Sequence, residues 1–325
     1  MIPILFGVIV VTFLMTRALP GNPALYRLGG TPNVQAIKEM EKQMGLDKPI
    51  LMQFIIYVSD IIRGDFGYSY VTGRPVLDDL AQRFPATLEL SLVSLFIATI
   101  VGVPLGVFSA VKRNKLIDHI CRLVAVSGVS LPEYYLGLLA IYVFYFFLGW
   151  FPAPLGRIDP FVAPPTHITG LYILDSLITG NTKALVSSVQ HVILPATTLG
   201  FVNMAPTARM TRSAMLEILS SDYIRTARAC GIPEKEVIYK DALKNAMIPV
   251  LTTLGLIFGY LLGGIVVIER IFSWPGMGFY ALDAMVANDH DPMQAYILIS
   301  AIVFLLINLT VDVSYGLIDP RIKYK

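Results

Sequence analysis

The chain has 325 residues, of which 55% are hydrophobic and only 15% charged, and its mean hydropathy is +0.66. Soluble domains carry about 25% charged residues, so the composition excludes an ordinary water-facing globule and fits a surface that faces lipid. The net charge of +2 is too small to suggest a nucleic-acid surface, and Cys121 and Cys230, far apart in sequence, form no metal or disulfide pattern.

A helix needs about 20 apolar residues to cross the hydrocarbon core. The uncharged runs predict six spans, at roughly 1–18, 86–111, 120–149, 190–214, 247–269 and 293–316. The first, Met1–Thr16 followed by Arg17, has neither a basic leading region nor a small-residue cleavage site, and reads as an uncleaved helix. Within the third, Leu123–Pro132 and Tyr134–Gly156 are uncharged, with Glu133 alone between them. The fourth contains Pro195 and Pro206, which membrane helices tolerate when neighbours satisfy the freed backbone.

Segment 19–85 reads as a large extracytoplasmic loop. Within it, Val34, Ile37, Met40 and Met44 recur near helical spacing opposite Lys38, Glu39, Glu41 and Lys42. Pro49–Ile62 is more apolar and suits an interfacial helix; Gly64, Gly67 and Gly73 read as turns. Segment 150–189, with Pro152, Pro154, Pro160, Pro164 and Pro165, reads as an ordered loop.

Basic residues in short loops set orientation. Lys112, Arg113 and Lys115 crowd loop 112–119; Arg225, Arg228, Lys235, Lys240 and Lys244 lie in loop 215–246; Arg321, Lys323 and Lys325 end the chain. Loops 150–189 and 270–292 hold only Arg157, Lys183 and Arg270. Both termini are therefore expected on the cytoplasmic side. The expected domains are span one (1–18), the extracytoplasmic segment (19–85), a five-helix core (86–318) including loop 215–246, and a cytoplasmic tail (319–325).

The chain carries no G-x-x-x-x-G-K-[ST] phosphate loop, no H-E-x-x-H, no G-x-S-x-G and no paired-cysteine zinc spacing. No catalytic residue, metal site or cofactor is expected in it. Asn288-Asp-His-Asp291 carries metal-ligating residue types, but such clusters are common by chance in one loop. Glu133 offers an ionisable group inside a span, a position that often marks a pathway; the plainer reading is a neutral or hydrogen-bonded Glu at a helix break after Pro132. Tyr134, Tyr135, Tyr142 and Tyr145, with Trp150, read as an interface belt or packing. Gly255, Gly259 and Gly263 repeat every four residues, and Gly102 and Gly106 do the same around Pro104. This spacing permits close helix approach.

Loop 215–246 is the most informative segment. Asp222-Tyr-Ile-Arg-Thr-Ala-Arg-Ala-Cys-Gly-Ile-Pro233 predicts a short helix with Ser221 or Asp222 as N-cap and Gly231 as stop, and then a second helix entered at Pro233. By itself it could be a juxtamembrane amphipathic helix facing anionic lipid. It also resembles the coupling loop of ABC importer permeases, E-A-A-x-x-x-G followed by I-x-L-P. Arg225, Thr226, Ala227 and Gly231 stand at the E, A, A and G places and Leu243 at the Leu; Lys244 and Asp241 depart from the Pro and Ile. Tyr223–Gly231 and Ala242–Val250 look like the forms of the dipeptide/oligopeptide/nickel branch. Further segments are similar to family landmarks in family order: Leu19-Pro-Gly-Asn-Pro23, Gly45-Leu-Asp-Lys-Pro49, Arg63-Gly-Asp-Phe-Gly67, Thr72-Gly-Arg-Pro75, Phe84-Pro-Ala-Thr-Leu-Glu-Leu90, Gly102-Val-Pro-Leu-Gly106, Ser130-Leu-Pro132 and Phe272-Ser-Trp-Pro-Gly-Met-Gly278. The family normally opens with basic residues before span one, which this sequence lacks.

The resemblance implies a type I importer permease of the prokaryotic inner membrane, multi-pass and without enzymatic activity of its own. It implies a second homologous permease subunit, two ATPase subunits that carry the ATP and Mg, and an extracytoplasmic solute-binding protein that delivers di- or oligopeptides. Tyr223, Arg225, Thr226, Ala227, Arg228, Gly231 and Leu243 are the coupling residues it points to. Nickel chelates or oligosaccharides are alternative cargoes within the family. An ion-coupled secondary transporter with Glu133 as relay is the rival class, but it would show matched inverted halves and leaves the basic loop without a role.

Overall fold

A computed structural model of the chain describes residues 2–18, 23–28 and 33–318. Most of the Leu19–Pro23 landmark and the expected tail 319–325 lie outside these residues. Among the described residues the protein is helical, with no strand beyond an isolated bridge between Tyr68 and Pro75. The elements are α1 (Ile2–Ala18), α2 (Pro23–Leu28), α3 (Val34–Gln43), α4 (Ile50–Ile62), α5 (Val76–Val111), α6 (Leu116–Ser130), α7 (Glu133–Ala140), α8 (Tyr172–Thr179), α9 (Thr182–Leu219), α10 (Asp222–Ala229), α11 (Glu234–Glu236), α12 (Leu243–Gly264), α13 (Val266–Ile271), α14 (Met277–Ala287) and α15 (His290–Ile318). Two π-helical stretches, Ile141–Phe147 and Val237–Ala242, extend α7 and join α11 to α12. Among the described residues four helices are long and apolar enough to cross a membrane: Val76–Val111, Thr182–Leu219, Glu234–Gly264 and His290–Val311. The bent pair α6–α7 makes a fifth if it counts as one span, whereas α1 is shorter than the others. The chain is a multi-pass membrane protein.

Several boundaries differ from the sequence expectation. α5 starts at Val76, ten residues before the expected 86, because Pro75 presets the first turn and Asp78 and Asp79 complement its positive end. The third span is broken rather than continuous. Leu131 is extended (φ −114, ψ 140), as a residue before proline prefers, and Pro132 then starts α7. Loop 150–189 is a loop only as far as Leu171; α8 and the first turns of α9 follow, parted by left-handed Gly180. Asn181 caps α9 by accepting from the Ala184 N–H at 3.1 Å. α9 runs unbroken for 38 residues through both prolines. Thr198, Asn203, Thr207 and Thr211 each donate to the carbonyl four residues back, which satisfies polar side chains inside an apolar helix.

α5 and α9 form the most extensive helix pair. A Cβ on Gly102 would lie 2.9 Å from the Met204 carbonyl oxygen, and one on Gly106 would lie 2.7 Å from that of Ala208. From the other side, a Cβ on Gly200 would meet Ile97 Cγ2 at 2.7 Å. The two backbones approach this closely only because these side chains are missing. α12 packs against α15, with Gly255 facing Val311, Gly259 facing Phe304 and Gly263 facing Ser300.

One end of the α5–α9 pair is tied by buried polar groups. Glu89 takes Arg157 at 2.6 Å and the Ile173 N–H at 2.7 Å, while Arg157 also donates to the Gly170 carbonyl and lies over the Tyr172 ring. Fully buried Glu269 accepts from Thr87 Oγ1 at 2.6 Å and the Phe279 N–H at 2.8 Å, and Trp274 Nε1 donates to the Ala86 carbonyl. Asp175 holds the adjoining loop through the N–H groups of Ile168, Thr169 and Gly170 and the Thr169 hydroxyl. Burial works against its charge, but these donors hold its carboxyl below the usual range.

Gly106→Ala must push α5 away from α9, whereas Gly263→Ala adds a methyl 3.6 Å from Ser300 Cβ, at ordinary contact distance. Gly106→Ala should cost about 1–3 kcal/mol as overpacking and lower the melting temperature of the detergent-purified chain; Gly263→Ala should leave it near the parent value. Equal behaviour of the two variants would contradict the close α5–α9 contact.

Candidate functional site

At the other end of the α5–α9 pair the chain leaves α9, forms α10, and turns back into the helix that becomes α12. Ser221 has the extended backbone of an N-cap, but its hydroxyl donates to the Ile218 carbonyl at 2.6 Å instead of capping α10. The capping expected of Ser221 is therefore not made, because the last turn of α9 captures the hydroxyl first. α10 ends in a Schellman motif. The Ile232 N–H bonds the Ala227 carbonyl at 3.2 Å and the Gly231 N–H bonds that of Arg228 at 3.0 Å, with Gly231 at φ +79. No atom lies within 4 Å of the position a Gly231 Cβ would take. Glycine is demanded here by the left-handed backbone, not by crowding. Pro233 (φ −56) then starts the return helix.

α10 has one buried face. Ile224 is fully buried in a cluster with Val107 and Ala110 of α5, Ala214 and Met215 of α9, and Val237, Ile238, Ala242 and Ala246 of the return helix. Ala227 and Leu243 pack against the same cluster. The remaining residues face out. Arg225 is 80% exposed and reaches only Asp222, at 3.6 Å; the Thr226 hydroxyl donates to the Asp222 carbonyl. Arg228 grips Glu234 across the turn with two bonds of 3.1 and 2.8 Å. Tyr223 Oη accepts from Asn245 Nδ2 at 3.1 Å, a second strap between α10 and α12.

The structure thus brings all seven residues singled out in this loop to one end of the bundle. It holds a rigid, basic helix with a free outer face and no nucleophile–base pair. Glu133 lies elsewhere, in the first turn of α7, half-buried and facing the Tyr260 hydroxyl of α12. Asn288–Asp291 has a structural role: Asp289 accepts from Ser69 Oγ at 2.7 Å and from the Val71 N–H, and Asp291 accepts from the Tyr68 N–H. Among the described residues no group of three His, Cys, Asp or Glu side chains is placed to hold a metal. The sequence reading missed Ile224 and Asn245. Ile224 was findable, as the one large aliphatic residue within the polar run Asp222–Arg228.

Residues 102–324 match the family described as the binding-protein-dependent transport system inner membrane component, and residues 1–91 match the N-terminal part of that component. The chain is 46% identical to the probable D,D-dipeptide transport system permease protein DdpB of Escherichia coli K12, over 97% of this chain and 93% of that protein. It is 45% identical to the dipeptide transport system permease protein DppB of Alkalihalophilus pseudofirmus, over 100% and 97% respectively. It is 42% identical to the glutathione transport system permease protein GsiC of E. coli K12, over 100% and 96%. Among solved structures, a chain of the inward-facing MetNI methionine ABC transporter superposes with a TM-score of 0.54 at 18% identity, covering 74% of this chain and 96% of that one. That likeness concerns the fold.

Ile224→Ala removes the one fully buried anchor of α10 and should cost about 2–5 kcal/mol locally. Hydrogen exchange should accelerate over 222–231 while α5 and α9 keep their protection. Unchanged exchange in α10 would mean that the straps, not Ile224, hold it.

Proposed function

The chain belongs to the binding-protein-dependent transport system inner membrane component family, and from that premise we propose that it is a permease subunit of an ATP-driven importer of di- and oligopeptides. It pairs with a second, homologous permease to form the path. Two ATPase subunits dock on its cytoplasmic side and carry the ATP and Mg; a solute-binding protein delivers peptide from outside. The chain itself catalyses nothing. The names of the three relatives all specify peptide cargo, which supports peptides over nickel chelates or oligosaccharides.

In this reading six spans cross the membrane: α1, α5, the α6–α7 pair, α9, the return helix through α12, and α15. Both termini are cytoplasmic, and the segment between α1 and α5 is extracytoplasmic. The basic residues around α10 and in the α5–α6 turn support this orientation.

The observation that carries the proposal is α10 itself. A helix eight residues long is seated on one face in an apolar cluster with residues of α5, α9 and the return helix, strapped to α12 by Asn245, stopped by a left-handed glycine, and bare on the other face. Such an element passes a push on its outer face to three membrane helices at once. Tyr223, Arg225, Thr226 and Arg228 face the ATPase, Ala227 and Leu243 seat the helix, and Gly231 sets its angle.

Gly231→Val forces a β-branched residue into φ +79, whereas asparagine tolerates that region. In liposomes holding the assembled importer, Gly231→Val should abolish peptide-stimulated ATP hydrolysis while the ATPases still co-purify, and Gly231→Asn should retain most of it. Normal coupled turnover in Gly231→Val would remove the coupling role. Orientation is read separately: exposed Cys230 should resist a membrane-impermeant maleimide added to intact cells and react after permeabilisation. Labelling from outside would invert the topology.

A further inference from the structure

Beside the α10 platform, α5, α6 and α9 enclose a groove of about 350 Å³. Its polar lining is cationic: Arg122 of α6 with Arg209 and Arg212 of α9, and no carboxylate among the lining residues. Asp118, just behind it, is fully buried and already occupied. It takes Arg212 at 3.0 Å, Ser109 Oγ at 2.5 Å and the Asn114 N–H at 3.0 Å, and Arg122 only at 3.4 Å. Arg209 has no carboxylate within 4.0 Å among the described residues and is exposed. Two guanidinium groups, Arg122 and Arg212, therefore share one carboxylate while Arg209 has none, and positive charge is left at the mouth of the groove.

The rest of the lining is apolar: Leu105, Ala125, Val126 and Leu216. On its other faces α6 is also apolar and exposed, at Ile117, Ile120, Leu123 and Val124. A cationic mouth on an apolar strip between membrane helices, at the end where the basic loops cluster, matches an amphiphile with a negative head. A soluble anion would use the arginines and leave the strip unexplained. A protein surface would have to supply acid and hydrocarbon in the same register.

We propose that the groove among α5, α6 and α9 holds the headgroup phosphate of an anionic phospholipid, with its acyl chains along α6. The phosphate lies between Arg209 and Arg122, and Arg212 stays on Asp118 as the support that fixes the groove. The lipid thereby fills the angle between the α5–α6 turn and α9, next to the coupling platform. The inference rests on the membrane reading but not on cargo or orientation, and the Cys230 labelling test decides orientation independently.

The probe is dioleoyl-phosphatidylglycerol, titrated onto the full chain in neutral detergent and read by native mass spectrometry against dioleoyl-phosphatidylcholine. The parent chain should hold phosphatidylglycerol in preference. Each surface arginine is worth about fivefold toward anionic lipid, so Arg209→Gln should weaken retention roughly fivefold and Arg122→Gln by a similar factor. Arg209→Lys should keep most of it. Cys121 lines the same groove, so phosphatidylglycerol, but not phosphatidylcholine, should slow its modification by N-ethylmaleimide in the parent chain, a readout that needs no arginine variant. Equal retention of the two lipids, indifference to Arg209→Gln, or displacement by millimolar inorganic phosphate would each overturn the proposal; the last would reveal a soluble-anion site.

Discussion

The architecture depends on how closely α5 and α9 approach each other. Gly102 and Gly106 on one helix and Gly200 on the other bring main chain against main chain and side chain. In lipid no hydrophobic effect presses helices together, so this close packing must supply cohesion through dispersion and shape. The rest of the core is built around that pair: α12 and α6 lie against α9, and α15 lies against α12. Two long helices in such contact tilt together, and both of their ends move when one does.

The ends of the pair are fastened by different means. At one end Glu89 and Glu269 are buried: Glu89 takes Arg157 and the Ile173 N–H from segments far along the chain, and Glu269 takes Thr87 of α5 and the Phe279 N–H of α14. Removing one partner of such a group leaves a charge without compensation in a medium that solvates it poorly. That end is accordingly a locked cap. At the other end one buried carboxylate, Asp118, ties Ser109 of α5 to Arg212 of α9, and the seat of α10 is apolar, through Val107, Ala110, Ala214 and Met215 around Ile224. Apolar contacts are non-directional and hold while neighbouring helices adjust their angle. Force applied to α10 enters through this apolar seat, while a buried carboxylate ties the helix pair at each end.

Much of this was legible in the sequence. The uncharged runs identify a helical membrane protein, and Gly231 before Pro233 marks a helix stop because few other residues take a left-handed backbone there. Gly64, Gly67 and Gly73 also have positive φ, at 79°, 79° and 66°, in the turns the sequence predicts. What escaped was non-local or hidden by charge. The first turns of α5 carry Asp78, Asp79 and Arg83, so a count of uncharged residues starts the helix too late. Arg157 looks like one of a few outer-loop charges until the fold brings Glu89 to it from 68 positions away. The glycine spacings are visible in the chain, but nothing local says that Gly106 meets Ala208 or that Gly259 meets Phe304. The break at Leu131–Pro132 is half visible: the proline marks a helix boundary, but the apolar run continues on both sides of it and hides the bend.

On this account α10 moves as one body with the ends of α5 and α9 that share its apolar cluster. The most direct test is the distance between spin labels at position 225 on the outer face of α10 and position 112 at the end of α5, in a variant without the two native cysteines. Measured by double electron–electron resonance in the reconstituted importer, the distribution should be the same without nucleotide and in the vanadate-trapped state. A shift of several ångströms between the two states would show α10 swinging on its own hinge and would contradict the account.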